Sequence, residues 1–226
     1  MKKTITFILP FFLLFLSCKN TTESKKIETK TTESADNQAI SKKSIMFFGN
    51  SLTAAYGLED VSRGFVGLIE SRLDSLKMPY TCINAGISGE TTSGGDGRVD
   101  FTISQQPIDI FILELGGNDA LRGINPESSI KNLQSIIDKV KTKYPSVKII
   151  LAGMEAPRNM GEKYITAFHN MYPTLAKKNN LPLIPFILEG VGGIAELNQK
   201  DGIHPTEAGN KIIVENIWAV LKPVLE

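Results

Sequence analysis

The chain has 226 residues, of which 42% are hydrophobic and 22% charged, and this suffices for one globular domain with a hydrophobic core. Its formal net charge of +1 at pH 7 provides no basic footprint for nucleic acid, so we expect no nucleic-acid partner. Two cysteines and two histidines are too few for a structural zinc site, which takes four such ligands, and we expect neither a metal nor a cofactor.

The first predicted element is an export signal. A basic start, Lys2-Lys3, precedes an apolar run over residues 5–16 that is too short to span a membrane and has the length of a signal-peptide core. The run ends at Phe15–Cys18, which resembles a bacterial lipobox except in its first residue, where leucine is usual. We predict a signal peptide over residues 1–18, lipidation of Cys18, and an exported, periplasmic or outer-membrane-associated lipoprotein. The alternative is an unlipidated signal peptide cleaved nearby, which also exports the protein.

A polar segment follows the signal. Residues 19–43 are mostly Thr, Ser, Glu, Lys and Asn, and they cannot bury enough apolar surface to offset the entropy lost on ordering. We therefore predict a flexible linker over 19–43 and a single domain over 44–226. If Cys18 carries a lipid, Cys82 is the remaining thiol, and its apolar surroundings in the sequence predict a small core residue rather than a reactive group.

From residue 44 onward, short apolar runs alternate with segments of helical periodicity. Five runs have the near-continuous hydrophobicity of strands buried on both faces, as in parallel sheets. They are Ile45–Phe48, Tyr80–Ile83, Ile108–Leu115, Val147–Ala152 and Leu183–Phe186. Apolar stripes at 65–76, 133–140 and 168–175 predict helices between them, and a final helix runs from about Thr206 to Leu221. This alternation predicts an α/β fold, a three-layer sandwich with a five-stranded parallel sheet.

Polar and glycine-rich clusters follow the predicted strands. In open parallel sheets, ligands bind outside the carboxyl ends of the strands. The clusters are Gly49–Leu52, Asn84–Thr91, Gly116–Asp119 and, before the last helix, Asp201–Pro205. Four separate loops are thus predicted to converge on one edge of the sheet.

These clusters resemble the sequence blocks of the SGNH (GDSL-type) hydrolase family, and are closest to its bacterial thioesterase, arylesterase and lysophospholipase group. Four blocks in the family's order are far more specific than any one of them. Residues Gly49–Gly57 are similar to block I, Gly89 within Ile87–Thr92 to block II, Gly117–Asp119 to block III and Asp201–His204 to block V. The resemblance implies a flavodoxin-like SGNH hydrolase fold. One residue departs from the pattern, because Asn50 stands where the family usually has the acid of its GDSL motif.

The side chains of these blocks suit nucleophilic catalysis. A serine hydroxyl needs a neighbouring base, and imidazole, with an ordinary pKa near 6.5, is the natural one. We predict Ser51 as nucleophile and His204 as base, because the other histidine, His169, lies within a predicted helix. Asp201 is placed to accept the imidazole Nδ1–H and fix its tautomer. The resemblance implies an oxyanion hole made of the backbone N–H groups of Ser51 and Gly89 and the side-chain amide of Asn118.

Each of these residues alone also fits a structural role. A serine after a strand is usually a helix N-cap, and Asn118 and Asp119 suit an Asx-turn. Asp201 and His204 suit a turn before a helix. A phosphate-binding loop is not indicated, because the chain has no G-x-x-x-x-G-K-[ST] pattern. The structural roles do not explain four such clusters at one sheet edge, which favours the catalytic interpretation.

The predicted activity is that of a serine esterase that hydrolyses carboxylic esters or thioesters through an acyl-Ser51 intermediate. Its predicted partners are a small ester or lipid substrate and a membrane, reached through the lipid anchor. Two alternatives stay open: a carbohydrate O-acetylesterase, which the aromatic-poor loops weakly disfavour, and a catalytically silent lipoprotein that binds glycans or lipids, which only Asn50 favours. Because side chains alternate along a strand, we expect Asn50 to point away from the cleft and to hydrogen-bond loop backbone.

Overall fold

The computed structural model describes residues 42–226. The predicted signal peptide, the lipidation of Cys18 and nearly all of the predicted linker lie outside the described residues. Among the helices of residues 42–226, none is long and apolar enough to cross a membrane.

The core of the domain is a five-stranded parallel sheet, as predicted. The strands, in chain order, are β1 (Lys43–Gly49), β2 (Tyr80–Gly86), β3 (Ile110–Glu114), β4 (Lys148–Ala152) and β5 (Leu183–Ile184). They pair in the order β2-β1-β3-β4-β5, which is the flavodoxin-like order of a doubly wound sheet. The predicted fold class is therefore confirmed.

The strands differ from the predicted runs in length and burial. The fifth strand stops at Ile184 because the next residue, Pro185, has no N–H to give to a sheet ladder. Strands β1, β3 and β4 are buried along most of their length, whereas most side chains of β2 are only partly buried because it lies at the sheet edge. The expectation of burial on both faces thus holds for the three inner strands.

Helices cover both faces of the sheet. They are α1 (Phe65–Ser75), α2 (Thr92–Ser104), α3 (Gly117–Leu121), α4 (Pro126–Lys143), α5 (Glu162–Asn179) and α6 (Glu207–Leu225). Helices α1 and α6 pack against each other, and α4 packs against both α2 and α5. The three apolar stripes lie in α1, α4 and α5, with their large side chains in the core except at the end of the first, where Leu76 is exposed. The last helix extends to Leu225, beyond the predicted end, because its final turn buries Leu221 and Leu225.

Helix α2 has no apolar stripe in its sequence, and α3 lies in a segment whose residues predict a loop. The buried face of α2 is formed by Thr92, Gly95, Val99 and Ile103, so small residues occupy half of it. A side chain at Gly95 would overlap the Leu115 side chain, and glycine there lets the helix approach the sheet closely. Helical periodicity of large apolar residues cannot reveal a helix that packs in this way.

The register of the sheet places three strand ends side by side. Gly49 of β1 pairs with Gly86 of β2 on one side and with Glu114 of β3 on the other. The loops after β2 and β3 therefore each start one strand spacing, about 4.8 Å, from the turn that follows β1.

Candidate active site

The segment after β1 forms a tight turn that carries Ser51. The backbone N–H of Ala54 donates to the carbonyl of Asn50 (3.0 Å), and that of Tyr56 donates to the carbonyl of Ser51 (3.0 Å). A side chain at Gly86 of the neighbouring strand would overlap the backbone N of Ala54, so the turn packs directly on the end of β2. Ser51 is 9% exposed, with its hydroxyl at the floor of a cleft.

The loop before α6 brings a histidine and an aspartate to that hydroxyl. Nε2 of His204 lies 2.9 Å from Oγ of Ser51, and Nδ1 of His204 lies 2.6 Å from Oδ2 of Asp201. The other carboxylate oxygen, Oδ1, accepts the backbone N–H groups of Ile203 (2.9 Å) and His204 (3.0 Å). Gly202, at φ +69°, supplies the left-handed backbone conformation that lets Asp201 fold back onto Ile203 and His204.

The electrostatics of this loop select one arrangement of protons. The hydrogen bond with the His204 side chain, reinforced by the two backbone N–H groups, lowers the pKa of Asp201 to about 2. An ionised Asp201 accepts a hydrogen bond from Nδ1–H of His204, so the Nε2 lone pair of His204 faces the Ser51 hydroxyl. The Tyr56 ring contacts the imidazole of His204, with the ring centroids 4.6 Å apart and the planes tilted by 44°.

The three predicted oxyanion donors follow three different strands: Ser51 lies in the turn after β1, Gly89 in the loop after β2 and Asn118 in α3, after β3. Within residues 42–226, neither the N–H of Ser51 nor that of Gly89 donates to a protein acceptor. The side-chain amide of Asn118 gives one hydrogen to the carbonyl of Glu90 (3.0 Å) and has a second one to give. Gly89 adopts φ +79°, a conformation that other residues rarely accept, and Arg122 holds its carbonyl (2.8 Å).

A partly buried arginine that belongs to none of the sequence blocks holds the Gly89 loop. Arg98 of α2 forms an ion pair with Glu90, which has a 7% exposed side chain. It also donates to the carbonyls of Ala85 (2.8 Å) and Gly49 (3.3 Å), at the ends of β2 and β1. Its guanidinium lies 3.9 Å from the ring centroid of Phe48. One side chain thereby joins two strand ends to the loop that presents Gly89.

Asn50 is buried and has three partners, the first of which is Ser51, whose Oγ donates to Oδ1 of Asn50 at 3.4 Å. Its Oδ1 accepts the backbone N–H of Leu52 (3.0 Å), as expected for a residue that holds the turn. Its Nδ2 donates to Oε1 of Glu114 (2.8 Å), a partner that the sequence does not indicate because Glu114 ends a run that otherwise reads as buried strand. Contrary to expectation, Asn50 also lines the floor of the cleft beside Ser51.

The cleft above Ser51 has a volume of about 880 Å³. Its apolar walls come from Leu121, Met154, Phe186, Leu188 and Ile203, and its charged rim from Glu155, Arg158 and Glu189. His169 is exposed on α5 and does not line this cleft. In the part of the chain that the structure describes, no three His, Cys, Asp or Glu side chains are grouped so that they could hold a metal ion. A cleft with apolar walls and a serine at its floor suits an ester with an apolar part.

Known proteins that are similar in sequence to this chain are hydrolases. The model of the GDSL-like Lipase/Acylhydrolase family matches residues 47–212. Esterase TesA of Pseudomonas aeruginosa is 39% identical over 188 residues, which are 83% of this chain and 92% of that protein. Thioesterase 1/protease 1/lysophospholipase L1 of Escherichia coli K12 is 31% identical over 188 residues, 83% of this chain and 88% of that protein. The crystal structure of AlinE4, an SGNH-hydrolase family esterase, has a TM-score of 0.67 and 38% identity and covers 82% of this chain and 97% of its own.

Proposed function

We propose the catalytic residues from the premise that the chain belongs to the GDSL-like lipase/acylhydrolase family and is a serine hydrolase of ester bonds. Ser51 is the nucleophile, His204 is the general base, and Asp201 is the carboxylate that orients the base. The observation that carries this proposal is the continuous hydrogen-bonded chain from Asp201 through His204 to Ser51, which ends at the floor of an open cleft.

In the acylation step, Oγ of Ser51 attacks the carbonyl carbon of the ester while its proton passes to Nε2 of His204. The imidazolium that forms is stabilised by the ionised Asp201, 2.6 Å from Nδ1. The carbonyl oxygen becomes an oxyanion, which accepts from the uncommitted N–H groups of Ser51 and Gly89 and from the second amide hydrogen of Asn118. Collapse of this intermediate breaks the bond to the alcohol or thiol, which leaves with the proton of His204.

Deacylation repeats the same steps with water. His204 takes a proton from a water molecule, whose oxygen attacks the acyl-Ser51 carbonyl. The same three donors stabilise the second oxyanion, and Ser51 leaves with the proton held by His204. The products are the free enzyme and a carboxylic acid. No cofactor enters this scheme.

The proposed substrates are carboxylic esters and thioesters of small or acyl-chain type. The apolar side chains of the cleft, among them Met154, Phe186 and Leu188, provide surface for an acyl chain, and burial of each methylene favours binding by about 0.8 kcal/mol. The test is a p-nitrophenyl ester series from acetate to palmitate, with acetylated xylan alongside. Hydrolysis of acyl chains longer than acetate, without release of acetate from xylan, is expected. Activity confined to acetyl esters and xylan would make the protein a carbohydrate O-acetylesterase.

The roles of the three residues are tested by labelling with a fluorophosphonate and by steady-state hydrolysis. The wild type should react covalently, Ser51→Ala should not, and His204→Gln should lose both labelling and turnover by a factor on the order of 10⁴ or more. His169→Gln is the matched control and should behave as the wild type, because His169 lies outside the cleft. Labelling that persists in Ser51→Ala would exclude Ser51 as the nucleophile, and absence of all hydrolysis in the wild type would favour a silent binding protein.

We also propose that the protein is exported and anchored to a membrane by a lipid on Cys18. Support comes from the basic start, the apolar run over 5–16 and the lipobox-like Phe15–Cys18. Residues 19–41, which are polar, would then separate the domain from the membrane. The wild type is expected in the membrane fraction and Cys18→Ala in the soluble fraction. Equal fractionation of the two proteins would contradict lipidation at Cys18.

A further inference from the structure

Glu114 is a buried carboxyl group directly beneath the turn that carries Ser51. It ends β3 and is 1% exposed. Its oxygens accept three hydrogen bonds: from the backbone N–H of Asn50 (3.2 Å), from Nδ2 of Asn50 (2.8 Å) and from the hydroxyl of Thr53 (2.8 Å). Within residues 42–226, no lysine, arginine or histidine forms an ion pair with it.

All three donors belong to the turn itself, so the turn is attached to β3 through this one carboxyl group. Ser51 lies between Asn50 and Thr53 in the chain, and both of these flanking residues are held by Glu114. A side chain at Gly49 would overlap Thr53 and Glu114, so glycine at this position is required for the contact. The position of the Ser51 hydroxyl and of its N–H therefore depends on Glu114.

The other charged and titratable groups around Glu114 are each bound to partners of their own. Tyr172 of α5 donates its hydroxyl proton to the carbonyl of Leu115, and burial raises the pKa of Tyr172, so it stays neutral. Arg98 of α2 contacts the neighbouring ends of β1 and β2 and forms its ion pair with Glu90. Asp119 of α3 accepts from Thr92 and Ser129, and His204 contacts the turn through Ser51.

The state of the carboxyl group follows from its burial and its donors. Burial raises the pKa of Glu114 to about 7, and the hydrogen bonds from Thr53 and Asn50 oppose that rise. An acid at position 50 would place a second carboxyl about where the Asn50 amide is, 2.8 Å from Oε1 of Glu114. Two carboxylates at that distance cannot both ionise, so such a pair must retain one proton to keep its hydrogen bond. An amide donates the same hydrogen bond at every pH.

We propose that Asn50 and Glu114 form a positioning pair for Ser51, in which the asparagine supplies a permanent hydrogen bond that an aspartic acid could supply only while the pair holds a proton. The pair acts mainly through the nucleophile turn, and Oδ1 of Asn50 also accepts a long hydrogen bond from Oγ of Ser51 (3.4 Å). This inference rests on the proposed role of Ser51 as nucleophile.

The experiment compares the wild type with Asn50→Asp, with Glu114→Gln and with the double variant Asn50→Asp/Glu114→Gln. In Glu114→Gln, either orientation of the new amide turns its NH₂ toward a donor, which is Nδ2 of Asn50 in one case and its backbone N–H in the other. In the double variant, the amide at 114 donates to the carboxylate at 50, its oxygen still accepts from Thr53, and Leu52 keeps its acceptor. The double variant thus restores every hydrogen bond with the direction of one reversed.

Hydrolysis of a p-nitrophenyl ester is measured from about pH 6 to about pH 10, together with thermal unfolding, because a shared carboxyl proton is lost in this range. Glu114→Gln should lower kcat by about 10² with little change in KM, as expected for a misplaced transition-state donor. The double variant should recover to within about tenfold of the wild type. Near pH 7, kcat of Asn50→Asp should lie within about tenfold of the wild-type value. At alkaline pH, Asn50→Asp should lose activity, whereas the wild type and the double variant should keep theirs.

Asp109→Asn is the matched control. Asp109 also accepts a backbone N–H, that of Ser44 (2.8 Å), but it precedes β3 at the opposite edge of the sheet, so its replacement should leave the pH profile of kcat unchanged. A double variant as impaired as Glu114→Gln, or one that does not fold, would overturn the pairing. An Asn50→Asp profile that matches the wild type at alkaline pH would overturn the proton argument. An error in the assignment of Ser51 as nucleophile would be detected by a different result, which is fluorophosphonate labelling of Ser51→Ala.

Discussion

The hydrogen-bond donors of Ser51, Gly89 and Asn118 differ in whether they already have a protein acceptor. The backbone N–H groups of Ser51 and Gly89 have no protein acceptor within residues 42–226. Gly89 is exposed, but Ser51 is only 9% exposed, and backbone donors shielded from water are almost always paired. Asn118 gives one amide hydrogen to Glu90 and keeps the other. An oxyanion needs donors without a partner at the moment it forms, and this fits the role proposed for these three groups. The single-residue geometry therefore supports transition-state stabilisation rather than substrate binding.

Asn118→Ala tests this distinction. We expect kcat to fall by about 10² to 10³ with little change in KM, because the amide hydrogen acts on the oxyanion and not on the ground-state ester. Steady-state kinetics with one p-nitrophenyl ester give both constants. Asn132→Ala removes another partly buried amide, which donates to Thr92 outside the cleft (3.0 Å), and should leave both constants near the wild-type values. A rise in KM alone for Asn118→Ala would make Asn118 a ground-state binding residue.

Helix α2 shows how a secondary-structure element positions the site without contributing a reacting group. Its N-terminus is capped by Thr91, whose hydroxyl accepts the N–H of Gly94, directly after the loop that carries Gly89. Arg98, two turns along, returns to the strand ends and to Glu90. The close approach of the helix to the sheet depends on Gly95, because any side chain there would displace Leu115. The helix therefore fixes the height of the Gly89 loop above the sheet.

Two glycines of this helix form a matched pair for a stability test. Gly95→Ala should destabilise the protein by about 1–3 kcal/mol, because the added methyl overlaps the side chain of Leu115 in a close-packed core. Gly97→Ala should stabilise it by about 0.4–1 kcal/mol, because the site is exposed, has open space and lies within a helix. Urea unfolding measures both changes. Equal effects of the two substitutions would show that α2 does not pack through Gly95.

At the scale of the domain, the site exists only in the folded chain. His204 and Ser51 are 153 residues apart in the sequence, and the proposed oxyanion donors come from the segments after three different strands. The parallel sheet brings these loops together because all of its strands end at the same edge. Assembly of the site also requires burial of Glu114, which links the stability of the whole domain to pH.

The free energy of unfolding should fall as the pH rises from about 4.5 to about 7. Burial raises the pKa of Glu114 from its ordinary value of 4.5 to about 7, so in this interval the folded state binds a proton that the unfolded state has released. Urea unfolding at pH 5 and at pH 7 measures the difference. Glu114→Gln should reduce the loss of stability between these two pH values, and Asp109→Asn should retain it. An unchanged loss in Glu114→Gln would show that the carboxyl is already ionised at pH 5.

The parallel α/β fold and the loops that carry the chemistry follow from local patterns of residues. Runs of apolar residues and the glycines of turns act locally, so the sequence alone predicts the five strands and the clusters around Ser51, Gly89, Asn118 and His204. Family membership is likewise recognisable from these blocks, and the match over residues 47–212 confirms it. The signal peptide and the lipid on Cys18 remain predictions from sequence.

The residues that support these loops are set by tertiary packing instead. Helix α2 packs through small residues and has no apolar stripe, and the partners of Glu114 and Arg98 lie far from them in the chain or on other elements. The burial of a carboxyl or a guanidinium has a high desolvation cost unless donors or acceptors meet it, and those partners are set by sheet register and helix packing. A local pattern of residue types contains no information about that register, so the pairing of Asn50 with Glu114 arises only because β1 and β3 lie side by side.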